Sequence, residues 1–322
     1  RFTGGDMSGA MEVLSQGAEI APERPEFPQM KGDIRLNQGE TAEALDLFEE
    51  AFSLGSSMVS SLEAELAAEA DPYRKEFLEN EYYRVLSGAV LSSYNSARIL
   101  ENLFFNTEDE TLKREYASRA VAILHSGIAL DPTNPDLLET LAEIHLIQGN
   151  YDEALEVFNN AEGAIAQNEA EGWITHEEAE TMKGELMLTR GFALLEMDRS
   201  GEALEQLEAS RSLLGDNYRI LATIAHANVL LERYEQSLSV LRQALALPGL
   251  EAEEMANLHY MVFVNENRLE RDQASLEALL EAIRYDPDNA MYYDYLASTY
   301  SRLGRRQSAI EAMEKAERLR AQ

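Results

Sequence analysis

Histidine is the residue type in this sequence best suited to bind a transition metal or to transfer a proton near neutral pH. The chain has five histidines and no cysteine, so a thiolate metal site is excluded. His226 and His259 fall on the first helices of neighbouring predicted helix pairs, where their rings could approach each other. A zinc site needs a third protein ligand, and no spacing marks one. His145, on an apolar helix face, is interpreted as a packing residue.

Adjacent acidic residues are the other candidates for catalysis. Glu49 with Glu50, and Glu177 with Glu178, point to different faces of predicted helices. Acid–base catalysis needs carboxylates that converge across a cleft. The sequence also contains no phosphate-binding loop, zinc-ligand spacing or nucleophile elbow. We therefore predict no catalytic, cofactor-binding or metal-binding residues, and a protein that is not an enzyme.

Acidic residues greatly outnumber basic ones. The 322 residues include 59 Asp or Glu and 27 Lys or Arg, which gives a net charge of −32. Such a charge would repel nucleic-acid phosphates, so we predict no nucleic-acid partner. Two interpretations stay open: a solvated acidic surface, or a surface that attracts a basic partner. No run of about 18 apolar residues occurs, so no membrane span is predicted within the sequence.

Residues 134–162 show the kind of element that must position these side chains. Apolar residues recur at helical spacing on both sides of a Gln-Gly-Asn turn. Asn134 is predicted to cap the first helix, with Pro135 at its first position. Gly149 is predicted to end that helix, and Asn150 to cap the second. The segment is therefore predicted to form a hairpin of two α-helices, with one apolar side left for a neighbour.

The small residue near the start of the second helix recurs along the chain, and four of the spacings are 34 residues. The successive occurrences are Ala10, Ala44, Ala120, Ala154, Ala203, Ser237, Ser275 and Ala309. A 34-residue period is typical of stacked helix hairpins, in which each repeat contacts its neighbours.

In this period and in its residue types the chain resembles the tetratricopeptide-repeat family over nearly its whole length. The matching residues in three of the helix pairs are Gly32, Gly39, Ala44, Phe48 and Ala51; Leu138, Ala142, Gly149, Tyr151, Ala154, Phe158 and Ala161; and Tyr293, Ala297, Tyr300, Gly304, Ala309 and Ala316. Pro22, Pro132 and Pro287 stand where the family ends a repeat. The resemblance implies an all-α, right-handed solenoid of helix hairpins with about seven to eight repeats, including two irregular, longer units.

We predict a single solenoid over residues 1–322. The predicted units are a half repeat at 1–22, a repeat at 23–55, irregular long-helix repeats at 56–133, a repeat with an extended second helix at 134–172, and repeats at 173–217, 218–250, 251–288 and 289–322.

The chain is predicted to begin in the middle of a repeat. Ala10 precedes Ala44 by 34 residues, and Gly5 takes the place that Gly39 has before Ala44. We therefore expect the natural protein to continue upstream of Arg1 by at least one helix.

Local signals predict further details. A helix at 57–70 is expected after the hairpin that ends near Leu54, and capping boxes are expected at Thr107–Glu110 and Thr175–Glu178. Trp173 is the only tryptophan, and Trp173 or Ile174 is interpreted as a hydrophobic staple that folds onto the helix starting at Thr175. The alternative is that Trp173 is an exposed anchor for a partner.

The family's first helices line a concave face that binds peptides or partner helices, and the resemblance carries this role over by position. The residues predicted to bind a partner are Asp33, Asp136, Glu139, Glu143, Leu188, Phe192, His226, Asp294, Tyr295 and Arg302. Since acidic and apolar residues predominate, we expect a protein or peptide partner with basic and apolar groups.

We predict a noncatalytic protein–protein interaction scaffold or adaptor, used as a docking or assembly subunit of a larger, bacterial complex. One alternative is the periplasmic repeat segment of an envelope secretion or polysaccharide-export machine. An alternative of another class is a metal-dependent enzyme with His226 and His259 at its site. A periplasmic or membrane-associated location is favoured over a cytoplasmic one.

Overall fold

The computed structural model describes residues 7–321, and all regular secondary structure in that range is α-helical. This confirms the predicted all-α class. The expected role of Gly5 lies outside the described residues. The chain divides into two compact units, the first ending at Ile174 and the second beginning at Thr175. The predicted single solenoid across both units stays a prediction.

The first unit contains seven helices. They are α1 (Met7–Ile20), α2 (Glu26–Asn37), α3 (Thr41–Ala68), α4 (Pro72–Asn106), α5 (Glu110–Leu130), α6 (Pro135–Ile147) and α7 (Tyr151–Glu171). The second unit contains α8 (His176–Glu196), α9 (Ser200–Leu214), α10 (Tyr218–Leu230), α11 (Tyr234–Ala244), α12 (Ala252–Arg268), α13 (Asp272–Tyr285), α14 (Ala290–Arg302) and α15 (Arg306–Arg320). Within each unit, helices pack mainly against the helices next to them in sequence, as expected for a solenoid.

The recurring small residues lie in the core of the protein. All eight are buried, and the least buried of them, Ala10, is 9% exposed. Their small side chains allow neighbouring helices to pack closely, and large residues such as Phe48 and Phe158 fill the space beside them. The residues that mark the 34-residue period in the sequence are therefore residues of the hydrophobic core.

The irregular region is built from two long helices, α3 and α4. The sequence predicted a break between the hairpin and a helix at 57–70, but α3 runs unbroken from Thr41 to Ala68. Gly55 is buried in the middle of α3, where an added Cβ would lie 2.8 Å from the Cβ of Ala89 on α4. The glycine therefore permits a close helix contact instead of ending a helix.

Helix termini confirm some capping predictions and correct others. The Asn134 side chain accepts a hydrogen bond from the backbone N–H of Leu137 at 3.1 Å, and Gly149 ends its hairpin helix with φ = 76°. The Thr175–Glu178 capping box is also present. Asn150 makes no side-chain cap, and its amide NH2 group donates a hydrogen bond to Gln148. The predicted Thr107–Glu110 box is wrong as well, since Asp109 caps α5.

Candidate functional site

The first unit contains an open groove of about 640 Å³ between α4, the α5–α6 connection and the end of α7. The groove combines aromatic, aliphatic and acidic side chains, which include Tyr83, Leu91, Tyr94, Asp131, Asp136 and Trp173. We call this the α4–α6 groove. Both of the charged residues in its lining are acidic.

Trp173 is held in a defined position although its side chain is 68% exposed. Gly172 ends α7 in the left-handed conformation, with φ = 78°, and turns the chain at this point. The backbone N–H of Trp173 donates to the Asn168 carbonyl at 2.9 Å, and the indole Nε1 donates to Glu171 at 3.0 Å. The ring lies beside Tyr83, with 6.5 Å between centroids. Trp173 is therefore exposed at the groove, and the staple with Trp173 or Ile174 stays a prediction.

The Asn168 side chain connects α7 to the other wall of the groove. Its amide donates to the Thr133 carbonyl at 2.9 Å. In the same connection, Asp131 accepts hydrogen bonds from Thr133 and Asn134. These bonds fix the α5–α6 connection, so Asp131 serves mainly to hold the turn.

Asp136, Glu139 and Glu143, the predicted acidic stripe, lie together along α6 and face α4. Burial is the main reason that the pKa of Tyr94 on α4 is raised. The three carboxylates raise this pKa further, and the positive charge of Arg98 lowers it. Arg98 forms ion pairs with Glu143 at 2.9 Å and with Glu101 at 2.7 Å. Although Asp136 stands at the surface, the surrounding protein desolvates its carboxylate and raises its pKa. The stripe is thus partly neutralised at one end and remains acidic at the groove.

Asp33 is the other predicted partner-binding residue of the first unit. It lies on α2, half-buried, and burial raises the pKa of its carboxyl group. It does not line the α4–α6 groove.

The second unit has a smaller groove of about 370 Å³ that contains two of the predicted residues, Phe192 and His226. Tyr218 and Tyr260 also line it. Leu188, by contrast, is only 4% exposed and packs in the core, so its side chain does not reach a partner surface in this structure.

The predicted residues on α14 make contacts within the second unit. Tyr295 packs its ring against Phe263, with centroids 5.3 Å apart, and remains partly exposed. Arg302 pairs with Asp272 at 2.7 Å, and Asp294 pairs with Arg320. Both charged residues are therefore already engaged by residues of opposite charge.

The histidines proposed as metal ligands have other neighbours. His259 stacks on Tyr285, with 5.8 Å between ring centroids and nearly parallel planes. Over residues 7–321, no group of three or more histidine or acidic side chains is placed to hold a metal ion. The site residues of the metal-dependent alternative are thus not gathered with a third ligand in the described part of the chain.

Two segments of the chain match the tetratricopeptide-repeat family, residues 112–173 and 292–322. The first segment contains the hairpin from which the 34-residue register was read. The chain thus contains tetratricopeptide repeats in these two segments. No curated protein matches it.

Two solved structures are similar to this chain. PilF of Pseudomonas aeruginosa is 14% identical, with a TM-score of 0.53 over 85% of this chain and 97% of that chain. The crystal structure of MamA is 17% identical, with a TM-score of 0.46 over 56% of this chain and 95% of that chain. At such identity the likeness to PilF concerns the fold alone. No helix within residues 7–321 combines the length and the apolar character needed to cross a membrane.

Sequence reasoning missed Tyr83, Leu91 and Tyr94 as lining residues of the groove. They lie on the irregular helix α4, where the repeat register that assigned inner positions elsewhere is interrupted. The structure, and not the sequence, shows that Tyr83 is 54% exposed and Leu91 47% exposed.

Proposed function

We propose that this tetratricopeptide-repeat protein is a noncatalytic docking subunit that holds a segment of a partner protein in the α4–α6 groove. The observation that carries the proposal is the groove itself, which is open and exposes Tyr83, Leu91 and Trp173 beside a carboxylate. Large aromatic residues in a recess provide much of the binding energy of protein interfaces. Their exposure to water is unfavourable until a partner covers them.

Charge supports the same proposal. Complementary charge speeds association and selects among partners more than it adds affinity. With a net charge of −32, the protein attracts basic surfaces over a distance set by ionic strength. The acidic α6 stripe would guide a basic and apolar segment toward the aromatic residues of the groove.

Within this proposal the protein serves as an assembly subunit of a larger, bacterial complex. A periplasmic or membrane-associated location, as part of an export or secretion machine, is the second form of the proposal. Fractionation of the source cells distinguishes a periplasmic or membrane-bound protein from a cytoplasmic one.

Site-specific photo-cross-linking in the source cells tests the docking role. A benzophenone amino acid replaces Leu91 inside the groove or, as a matched control, Phe77, which is exposed on the same helix but does not line the groove. We expect the probe at position 91 to cross-link one protein through one short segment, identified by mass spectrometry. The probe at position 77 should not give this product.

The added substitution Asp136→Asn should reduce the yield from position 91, since it removes one of the two carboxylate charges in the groove lining. Asp46→Asn, which changes an exposed acid on α3, should leave the yield unaltered. The docking proposal is wrong if position 91 gives no product, or the same mixture of products as position 77.

A further inference from the structure

We propose that the α4–α6 groove selects a segment carrying a Lys or Arg side chain, whose cation lies against the rings of Tyr83 and Trp173 with Asp136 as its counter-charge. This inference rests on the proposed docking function and specifies the chemistry of the docked segment.

The two rings are arranged to receive a cation. Their planes are tilted by 48° at a centroid distance of 6.5 Å, so neither ring covers the face of the other. A cation interacts favourably with an aromatic face when it lies within about 6 Å of the ring centroid. The separation of the rings allows a single ammonium or guanidinium group at the mouth of the pair to lie near both.

The position of Trp173 is set before binding. Its indole N–H donates to the Glu171 carboxylate, and its backbone N–H donates to the Asn168 carbonyl. The side-chain amide of Asn168 in turn donates to the Thr133 carbonyl. Because these bonds restrict the tryptophan, binding loses little side-chain entropy there. Glu171 also places a further carboxylate at the edge of the ring, next to where the cation would lie.

Asp136 lacks an internal counter-charge. No hydrogen bond or ion pair of its carboxylate is present within residues 7–321, and desolvation raises its pKa. The three arginines on the groove-facing helix α4 are engaged elsewhere: Arg74 with Glu69, Arg84 with Glu81 and Glu26, and Arg98 with Glu101 and Glu143. A cation from a partner is therefore the group that would complete the charge balance of the groove.

A purely apolar occupant fits this site less well. It would cover the rings but further desolvate Asp136 without a compensating charge, which is unfavourable. An acidic occupant would add repulsion. A basic side chain satisfies both parts of the lining, because its methylene stem packs on Leu91 and the rings while its charged end meets the carboxylate.

Binding of capped nonapeptides tests the inference. The probes have the sequence Gly-Ser-Ala-Leu-X-Leu-Ala-Ser-Gly, with Lys, Arg, Gln, Met or Glu at X. Trp173 is the only tryptophan, so its fluorescence reports directly on the groove. We expect the Lys and Arg peptides to bind at least about threefold more tightly than the Gln and Met peptides, and the Glu peptide to bind most weakly.

Variants assign the preference to individual groups, with binding followed by the anisotropy of fluorescein-labelled Lys and Gln peptides. Tyr83→Ala, Trp173→Ala and Asp136→Asn should each reduce the preference for Lys over Gln toward one. Trp173→Phe keeps an aromatic face and should keep part of the preference. Tyr73→Ala changes a more exposed tyrosine of α4 outside the groove and should leave the preference for Lys over Gln unaltered.

Circular dichroism melting identifies any variant that fails to fold, and Trp173→Phe and Asp136→Asn then decide the result. Equal affinity for the Lys, Gln and Met peptides, no measurable binding of any peptide, or an unaltered preference in Asp136→Asn and Tyr83→Ala would overturn the inference. The cross-linking experiment does not depend on a basic residue in the partner. A cross-linked partner without a preference for basic peptides would thus refute this inference and leave the docking function intact.

Discussion

His145 is a residue whose burial has a measurable consequence for pH dependence. Its Nδ1 atom is buried without a hydrogen-bond partner in the described residues, and burial, followed by the nearby His125, lowers its pKa. Burial also lowers the pKa of His259. The protonated ring is therefore disfavoured in the fold relative to the unfolded chain, where histidine titrates near about 6.5.

The sign of the effect follows from proton binding. Below about pH 6.5 the unfolded chain binds more protons at this histidine than the folded protein does, so the free energy of unfolding falls as pH falls. Replacing His145 by Gln should reduce the loss of stability between pH 7 and pH 5, measured by urea denaturation. His176→Gln, at an exposed histidine, is the control and should follow the wild type. Equal pH dependence in all three proteins would contradict the prediction.

At the scale of elements, the contact between α3 and α4 depends on Gly55. An alanine there would place its Cβ 2.8 Å from the Cβ and 3.3 Å from the Cα of Ala89, so the two helices would have to separate. Overpacking of this kind costs about 1–3 kcal/mol, and we expect Gly55→Ala to lower the free energy of unfolding by that amount.

Gly163 is a matched control, because it also lies within a helix, α7, but its added Cβ meets no atom within 4 Å. Gly163→Ala should raise the free energy of unfolding by about 0.5–1 kcal/mol, as removal of a helical glycine does. Chemical denaturation of the two variants measures both effects. If the two substitutions changed the free energy of unfolding by similar amounts and in the same direction, close packing at Gly55 would not determine the stability of the α3–α4 contact.

At the scale of the whole molecule, the charge of −32 opposes compaction through mutual repulsion of the acidic residues. Salt screens this repulsion, since the Debye length falls from about 30 Å at 0.01 M to about 10 Å at 0.1 M. We expect the melting temperature to rise by a few degrees between 10 mM and 300 mM NaCl. Choline chloride should act like NaCl if screening, rather than sodium binding, is the cause.

Surface ion pairs weaken under the same conditions, but each contributes little to stability. Repulsion among the excess acidic residues should therefore decide whether the melting temperature rises or falls with salt. A melting temperature that falls with salt would show that attractive pairs, such as Arg302 with Asp272, outweigh it.

The helices and their register could be read from the sequence because a solenoid depends on local signals. Short-range periodicity, the glycine after α6 and the Asn134 and Thr175 caps act within a few residues of each helix. Thr107 failed as the cap of α5 because Asp109 lies nearer the helix start and accepts the backbone N–H groups of Thr111 and Leu112. Asn150 precedes α7 but makes no side-chain cap.

The candidate site could be predicted only in part. Asp136, Glu139 and Glu143 were found because they share one face of one helix. Tyr83 and Trp173 are separated by most of the first unit in sequence, and neither has a signal that pairs it with the other. Leu188 was assigned to a partner surface by its position in the repeat, yet neighbouring helices cover it.

The sequence by itself determined the all-α class, the 34-residue register, the buried small residues and the acidic character of α6. These properties follow from periodicity, residue size and charge along short stretches of chain. Only the tertiary structure decided that α3 passes unbroken through Gly55, that Trp173 remains exposed beside Tyr83, and that Arg98 neutralises one end of the acidic stripe and leaves Asp136 without a counter-charge. The physical reason is that each of these outcomes depends on which side chains from distant helices meet, and that is set by packing across the unit.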